Sequence, residues 1–147
     1  MGMNTQNILI RPFEFPKDYA EVYALWENAG DGIHLRASDE LDEIRKKLER
    51  DPNLFLVAQA DDSIIGTVLG GFDGRRGMMY HLAVLKRYQR KGIANLLVDA
   101  LEEKLKEKGC IRYYLLVTKD NKEAISFYKK RGWENMNDLH VFAKSLD

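Results

Sequence analysis

Cysteine is almost missing from this chain of 147 residues, in which Cys110 stands alone. That excludes a disulfide within the chain and any metal site built on paired thiolates. A lone thiol agrees with a reducing compartment, so a cytoplasmic location is expected. Histidine is nearly as scarce. His34, His81 and His140 are scattered without the His-Glu-x-x-His spacing of a zinc helix, so no metal is expected. Long apolar runs are also lacking. Nothing approaches the ~20 residues that cross a bilayer. The opening MGMNTQN is too polar for a secretory leader, and no membrane partner is expected. Repeats, low-complexity tracts and linkers are absent, so residues 8–147 read as one domain.

A surplus of one charge sign is missing as well. Twenty-three Lys/Arg balance 23 Asp/Glu, which argues against a dedicated nucleic-acid binder. The balance hides a contrast between halves. Residues 1–62 hold 7 Lys/Arg against 13 Asp/Glu, a net −6, and residues 63–147 hold 16 against 10, a net +6. Such a split suits a C-terminal half that holds an anionic ligand and an N-terminal half that meets a cationic one.

What is present reads as alternating strands and helices. Ile8–Phe13 has strand character and ends in the turn-prone stretch from Glu14 to Asp18. Tyr19, Val22, Trp26 and Ala29 recur at helical spacing. Residues 28–37 carry two glycines and no period, which predicts a loop. Ser38 is a candidate cap for a second helix with Leu41, Ile44 and Leu48 on one face. Leu54–Ala60 and Ile64–Gly70, joined by Asp61-Asp62-Ser63, have the pattern of a hairpin. Met78–Leu85 is another apolar run. A long helix follows through Leu97, Leu101 and Leu105, closed at Gly109. Ile111–Thr118 reads as a strand, Ala124–Arg131 as a short helix, and Trp133–Lys144 as a final pair of strands. The order β-α-α-β-β-β-α-β-α-β-β predicts an α/β fold: a mixed, mostly antiparallel sheet with helices on both faces.

Chemistry concentrates where the fourth predicted strand meets the long helix. Gln89-Arg90-Lys91-Gly92-Ile93-Ala94 is a basic loop with a glycine at a helix start. Free N–H groups there point outward with partial positive charge and bind phosphate. Gly92 removes the Cβ that would keep a pyrophosphate away. The pattern is neither a P-loop nor a dinucleotide fingerprint, because their spaced glycines are lacking. A basic loop that merely caps a helix is the plain alternative. A second segment, Asn121-Lys122-Glu123-Ala124-Ile125-Ser126-Phe127-Tyr128-Lys129-Lys130-Arg131-Gly132-Trp133, reads by itself as a capped amphipathic helix ended by Gly132.

Together and in this order the two segments resemble the GNAT superfamily of acetyl-CoA-dependent N-acetyltransferases. The first matches its Gln/Arg-x-x-Gly-x-Gly/Ala motif and the second its Asn-x-x-Ala-x-x-Phe-Tyr-x-x-x-Gly-Phe/Trp motif. The element order agrees over nearly the whole chain. The hairpin and residues 70–77 look especially like a YpeA-type bacterial branch. The resemblance implies acetyl transfer from acetyl-CoA to a primary amine by direct attack in a ternary complex. Leu82, Ala83 and Val84 would then offer backbone groups to the pantetheine arm, and Gln89, Arg90, Lys91, Gly92, Ile93 and Ala94 would cradle the pyrophosphate. Asn121 would lie near the pantetheine, with helix capping as its other role. Tyr128 would stand by the sulfur and protonate the departing thiolate.

The family's usual glutamate base has no counterpart here. Met78 and Tyr80 face the expected site on one strand, Leu116 stands on the other, and strict alternation puts His81 on the opposite face. A water chain ending on Tyr80, Asp31 or His34 is the remaining route for the amine proton. Asp31 and His34, with Arg36, lie in the loop that selects the acceptor in such enzymes. The acceptor is expected to be a small-molecule amine or a peptide N-terminus. A non-catalytic acyl-CoA-binding module is the alternative, and a homodimer is left open.

Overall fold

Apolar runs that stop at turn residues build a sheet of five strands in the computed structural model, which describes residues 7–30 and 32–146. The strands are β1 (Ile8–Pro12), β2 (Phe55–Ala60), β3 (Ser63–Phe72), β4 (Gly77–Val84) and β5 (Tyr113–Leu115). They lie side by side in chain order. The first four form an antiparallel meander. β5 runs parallel to β4, and a helix spans the crossover: α3 (Ile93–Glu107). The predicted meander followed by a β-α-β unit is therefore present. The chain divides into two compact units between Leu116 and Val117.

Helices cover both faces of the sheet in the first unit. On one face α3 buries Ile93, Leu97, Val98, Leu101 and Leu105, each worth about 1.5–3 kcal/mol of removed apolar surface. Glycines let this helix come close. A Cβ on Gly66 would lie 3.1 Å from Leu97 Cδ1, and one on Gly70 only 2.5 Å from Leu101 Cδ1. The other face carries α1 (Tyr19–Glu27) and α2 (Leu41–Arg50). Val22, Leu25, Trp26 and Ile44 pack there with Phe13, Phe55, Val57, Leu69 and Ala83. Phe55 stacks on Phe13 with ring centres 4.2 Å apart and on Trp26 at 5.9 Å. Asp18, just before α1, is buried against Arg11 of β1 in a two-pronged ion pair of 2.7 and 3.1 Å.

The long helix ends as its sequence predicts. Gly109 is left-handed at φ +89°, its N–H bonds Lys106 O at 2.9 Å, and the Cys110 N–H bonds Leu105 O at 3.0 Å. This is the paired C-terminal closure that glycine permits.

Three expectations need correction. Ser38 caps nothing. It lies within a 3-10 turn, Ala37–Asp39, and α2 starts after Glu40, whose extended backbone accepts the first helical bond. The strand expected over 111–118 is formed only at Tyr113–Leu115, because Ile111, 95% exposed, has nothing to pack against. The final strand pair is not formed: residues 133–146 are irregular. Leu139, Val141, Phe142 and Leu146 are all exposed there. No face of that segment is buried, and Asn135, Asn137 and Asp138 disfavour extended pairing.

The second unit holds α4 (Lys122–Lys130), capped by Asn121, whose Oδ1 accepts the Ala124 N–H at 3.1 Å. Its end repeats the closure of α3. Gly132 N–H bonds Lys129 O at 3.1 Å and Trp133 N–H bonds Tyr128 O at 3.0 Å. The Tyr128 and Trp133 rings meet edge to face, 5.5 Å between centres.

Candidate active site

β4 and β5 part company early. Their parallel pairing covers only Gly77–Met79 against Tyr113–Leu115. Beyond it, Leu82, Ala83 and Val84 pair with β3 alone. Among the described residues, that edge of β4 has no partner strand, so its backbone groups, apart from the Val84 carbonyl, are open to an extended ligand. The chain then makes a 3-10 turn, Lys86–Tyr88, and the Gln89 side chain reaches back to donate to Val84 O at 2.9 Å.

The loop ends in two left-handed residues, Arg90 at φ +63° and Gly92 at φ +84°. Gly92 is the N-cap of α3, and its carbonyl accepts the Leu96 N–H at 3.1 Å. The first-turn N–H groups, Ile93 and Ala94 among them, therefore have no helical acceptor. No acidic residue stands in that first turn. A Cβ on Gly92 would meet nothing within 4 Å, so the approach to the helix start is open. Arg87, Arg90 and Lys91, in the turn and loop that lead into it, are exposed. An open helix N-terminus preceded by exposed cations is a fitting cradle for a pyrophosphate.

On the α1–α2 face, β4 departs from simple alternation. Met79 pairs with Gly70, but the next pair is Leu82 with Val68. Tyr80 and His81 together stand opposite Leu69 alone, which makes a β-bulge. The bulge turns both side chains to the same side. Tyr80, 55% exposed, lies over Gly71, where a Cβ would be 3.2 Å from Tyr80 Cε2 and 3.7 Å from Lys47 Nζ. Its hydroxyl is pushed up by burial and by the nearby Asp51 carboxylate. Lys47 and Asp51, both in or just after α2, form an ion pair of 2.8 Å. Burial holds that ammonium below its ordinary value despite the pairing.

His81 is thus not on the opposite face. Its Nε2 lies 2.8 Å from Asp39 Oδ1, and its ring meets Trp26 edge to face at 5.0 Å. Asp39 is buried, and its other oxygen accepts the Arg36 N–H at 3.0 Å. Burial raises this carboxyl, but the bonds from His81 and Arg36 outweigh it and hold it below the usual carboxylate range. Tyr19 of α1 donates to the Asp39 carbonyl at 2.9 Å. Of the loop residues expected to meet an acceptor, His34 is exposed, and Asp31 lies outside the described residues. Asp39 went unnoticed in the sequence. Its only signal was the Arg36-x-x-Asp39 spacing of a local side-chain cap.

In the second unit, Tyr128 is half-buried on α4 with its hydroxyl pushed up to about 12 by burial. It stays protonated at neutral pH and can donate. Asn121 has the capping role described above.

Residues 11–133 match the model of the acetyltransferase (GNAT) family. The chain belongs to that family. An acetyltransferase of Sodalis glossinidius is 40% identical over 129 residues, covering 88% of this chain and 89% of that protein. One of Pectobacterium atrosepticum is 41% identical over 130 residues, covering 88% and 91%. Among solved structures, Ard1 from Thermoplasma volcanium superposes with a TM-score of 0.75 at 28% identity, over 86% of this chain and 82% of that one. An aminoglycoside acetyltransferase bound to a bisubstrate analogue of CoA and acetylneamine has a TM-score of 0.74 at 18% identity, over 94% and 98%, a likeness of fold. This GNAT protein is an acetyl-CoA-dependent acyltransferase.

Proposed function

We propose that this GNAT enzyme transfers the acetyl group of acetyl-CoA to a primary amine by direct attack in a ternary complex. The observation that carries the reading is the unpaired edge of β4 running into a left-handed, basic, unobstructed helix start. Leu82, Ala83 and Val84 bind the pantetheine arm through their backbone. Gln89, Arg90, Lys91, Gly92, Ile93 and Ala94 hold the pyrophosphate, and Asn121 orients the arm near the thioester. Acetyl-CoA supplies an acyl group activated as a thioester. Tyr128, protonated at working pH, gives its proton to the departing thiolate. No metal is required, and the reaction takes place in the cytoplasm without nucleic acid or membrane.

The acceptor is a small-molecule amine or a peptide N-terminus. The acidic balance of residues 1–62 supports a cationic partner, for which Tyr80, His34 and Asp31 are the proposed contacts. Solved proteins of the same fold carry an aminoglycoside-derived analogue in one case and a peptide with CoA in another. The test is release of free thiol from acetyl-CoA with a panel comprising spermidine, neamine, a glycyl dipeptide and an Nα-blocked lysine. Turnover with one of them is expected. Tight CoA binding with no thiol release from any amine would refute amine acetylation.

A further inference from the structure

The proposal above leaves the amine's proton without a destination, and the bulge in β4 supplies one. An attacking amine must be neutral, yet primary amines are mostly protonated at pH 7. Efficient proton removal takes a base held at a fixed orientation, with one polar group fastening it and one lone pair free. His81 meets that description. A carboxylate from an element 42 residues away in sequence fastens its Nε2. With Asp39 ionised, Nε2 carries the hydrogen of that bond and Nδ1 keeps its lone pair. Among the described residues Nδ1 has no hydrogen-bond partner, yet it is not sealed like the buried indole N–H of Trp26. The side chain keeps 14% of its surface open.

Resting on the amine-acetylation reading, we propose that His81, oriented by Asp39, is the general base that deprotonates the acceptor amine. Its place agrees with this. His81 immediately precedes Leu82-Ala83-Val84, the strand edge assigned to the pantetheine arm, and faces the side formed by α1, the 3-10 turn and α2. The arrangement follows the logic of a carboxylate–imidazole pair that serves a nucleophile, with the substrate amine in the nucleophile's place.

The step balances. One proton of the ammonium passes to His81 Nδ1, and Asp39 stabilises the imidazolium. The freed nitrogen lone pair forms the new C–N bond at the thioester carbonyl as the C–S bond breaks. The second nitrogen proton is lost as the amide forms and restores Tyr128, which has given its own to the thiolate, and His81 returns the first to solvent. The bulge is the structural requirement. Without the extra residue, His81 would point to the α3 face, away from Asp39.

Other charged or titratable groups surround the pair. Arg36 and Glu40 flank Asp39, Tyr19 and Tyr23 face it from α1, and Tyr80 is its neighbour on β4. A pH profile alone therefore does not assign the base, and chemical rescue is added. The assay uses the full chain, acetyl-CoA and the best acceptor among spermidine, neamine, a glycyl dipeptide and an Nα-blocked lysine. His81→Gln should lower kcat at least 100-fold, leave CoA affinity within twofold and remove the acid limb of the kcat/KM profile. Asp39→Asn should lower kcat as well, since the ring loses the carboxylate that fixes its orientation and stabilises the imidazolium. His81→Gly should regain activity with added imidazole. Wild-type-like kcat in a folded His81→Gln protein, or an unchanged acid limb, overturns His81 as the base while leaving acetylation intact. Absence of any turnover by the parent protein overturns the acetylation reading and His81 with it. Loss of activity with no imidazole rescue and a lowered CoA affinity marks His81 as structural, against the proposal.

Discussion

The Gln89 side-chain amide donates to the Val84 carbonyl at 2.9 Å. This bond ties the loop that starts α3 to the last residue of β4. The strand edge and the helix start are thereby held as one continuous surface, the first suited to an extended amide chain and the second to phosphate.

Gly92 is where that surface is most vulnerable. Its φ of +84° is a conformation that L side chains rarely adopt, and its approach is open. Gly92→Glu adds strain, bulk and a repelling charge at once. CoA affinity measured by calorimetry should fall more than tenfold, about 1.4 kcal/mol or more, while the strain, about 1 kcal/mol, lowers the thermal midpoint by only about 2–8 °C. A folded Gly92→Glu protein with parental CoA affinity would place the pyrophosphate elsewhere.

Tyr128 offers a test with two readouts. Tyr128→Phe keeps the ring that packs on Trp133 and deletes the hydroxyl, so folding and CoA binding should persist. Turnover should fall about 10²–10⁴-fold, the usual contribution of a positioned acid. Because burial pushes the hydroxyl up to about 12, the parent rate should show no alkaline decline from this group below about pH 10. An equally fast variant would leave Tyr128 a packing residue.

Much of this was legible in the sequence, and the exceptions have physical causes. Helix periods placed Leu97, Leu101 and Leu105 in the core, and Gly92, Gly109 and Gly132 marked helix ends, because local geometry governs both. His81 was misplaced because strict alternation cannot register one extra residue in a strand. The pairing of Asp39 with His81 was invisible for another reason: the two are distant in the chain, and only tertiary packing brings them together. The final strands failed where apolar residues alone suggested them. Val141 and Phe142 are adjacent and both exposed, so neither face of the segment is buried.

The buried pair Arg11–Asp18 governs stability in acid. Asp18 is raised by burial, but the bonds from Arg11 and the Glu14 N–H hold it below its ordinary value. A carboxyl lowered in the folded state stabilises the protein above its unfolded pKa of about 3.9, and this is lost as pH falls through the folded value. Asp39, also lowered, adds to the same window. Stability to urea should thus be flat from pH 7 to about 5 and decline below about 4. Asp18→Asn should cost about 3 kcal/mol near neutrality by leaving Arg11 without its counter-charge, and the acid decline should become shallower. A variant whose stability tracks the parent at every pH would show that the pair contributes nothing.

The acceptor's own basicity gives the last prediction. For any base weaker than the amine, proton transfer is uphill by the difference in their pKa values, about 1.4 kcal/mol per unit. An α-amine at about 7.7–8.0 and a lysine side chain at about 10.4 differ by roughly 2.5 units, or about 3.4 kcal/mol, whichever base receives the proton. An enzyme whose base is weaker than the amine should therefore favour α-amines and other amines of modest pKa at neutral pH. For a glycyl dipeptide against an Nα-blocked lysine, kcat/KM at pH 7 should differ by at least tenfold in favour of the dipeptide, and the gap should narrow as pH rises. Added salt should raise KM for a multiply charged acceptor such as spermidine more than for the dipeptide, through screening of the acidic N-terminal half. A lysine side chain that outperforms the dipeptide at pH 7 would mean that the binding of its longer arm, rather than the ease of deprotonation, governs the choice of acceptor.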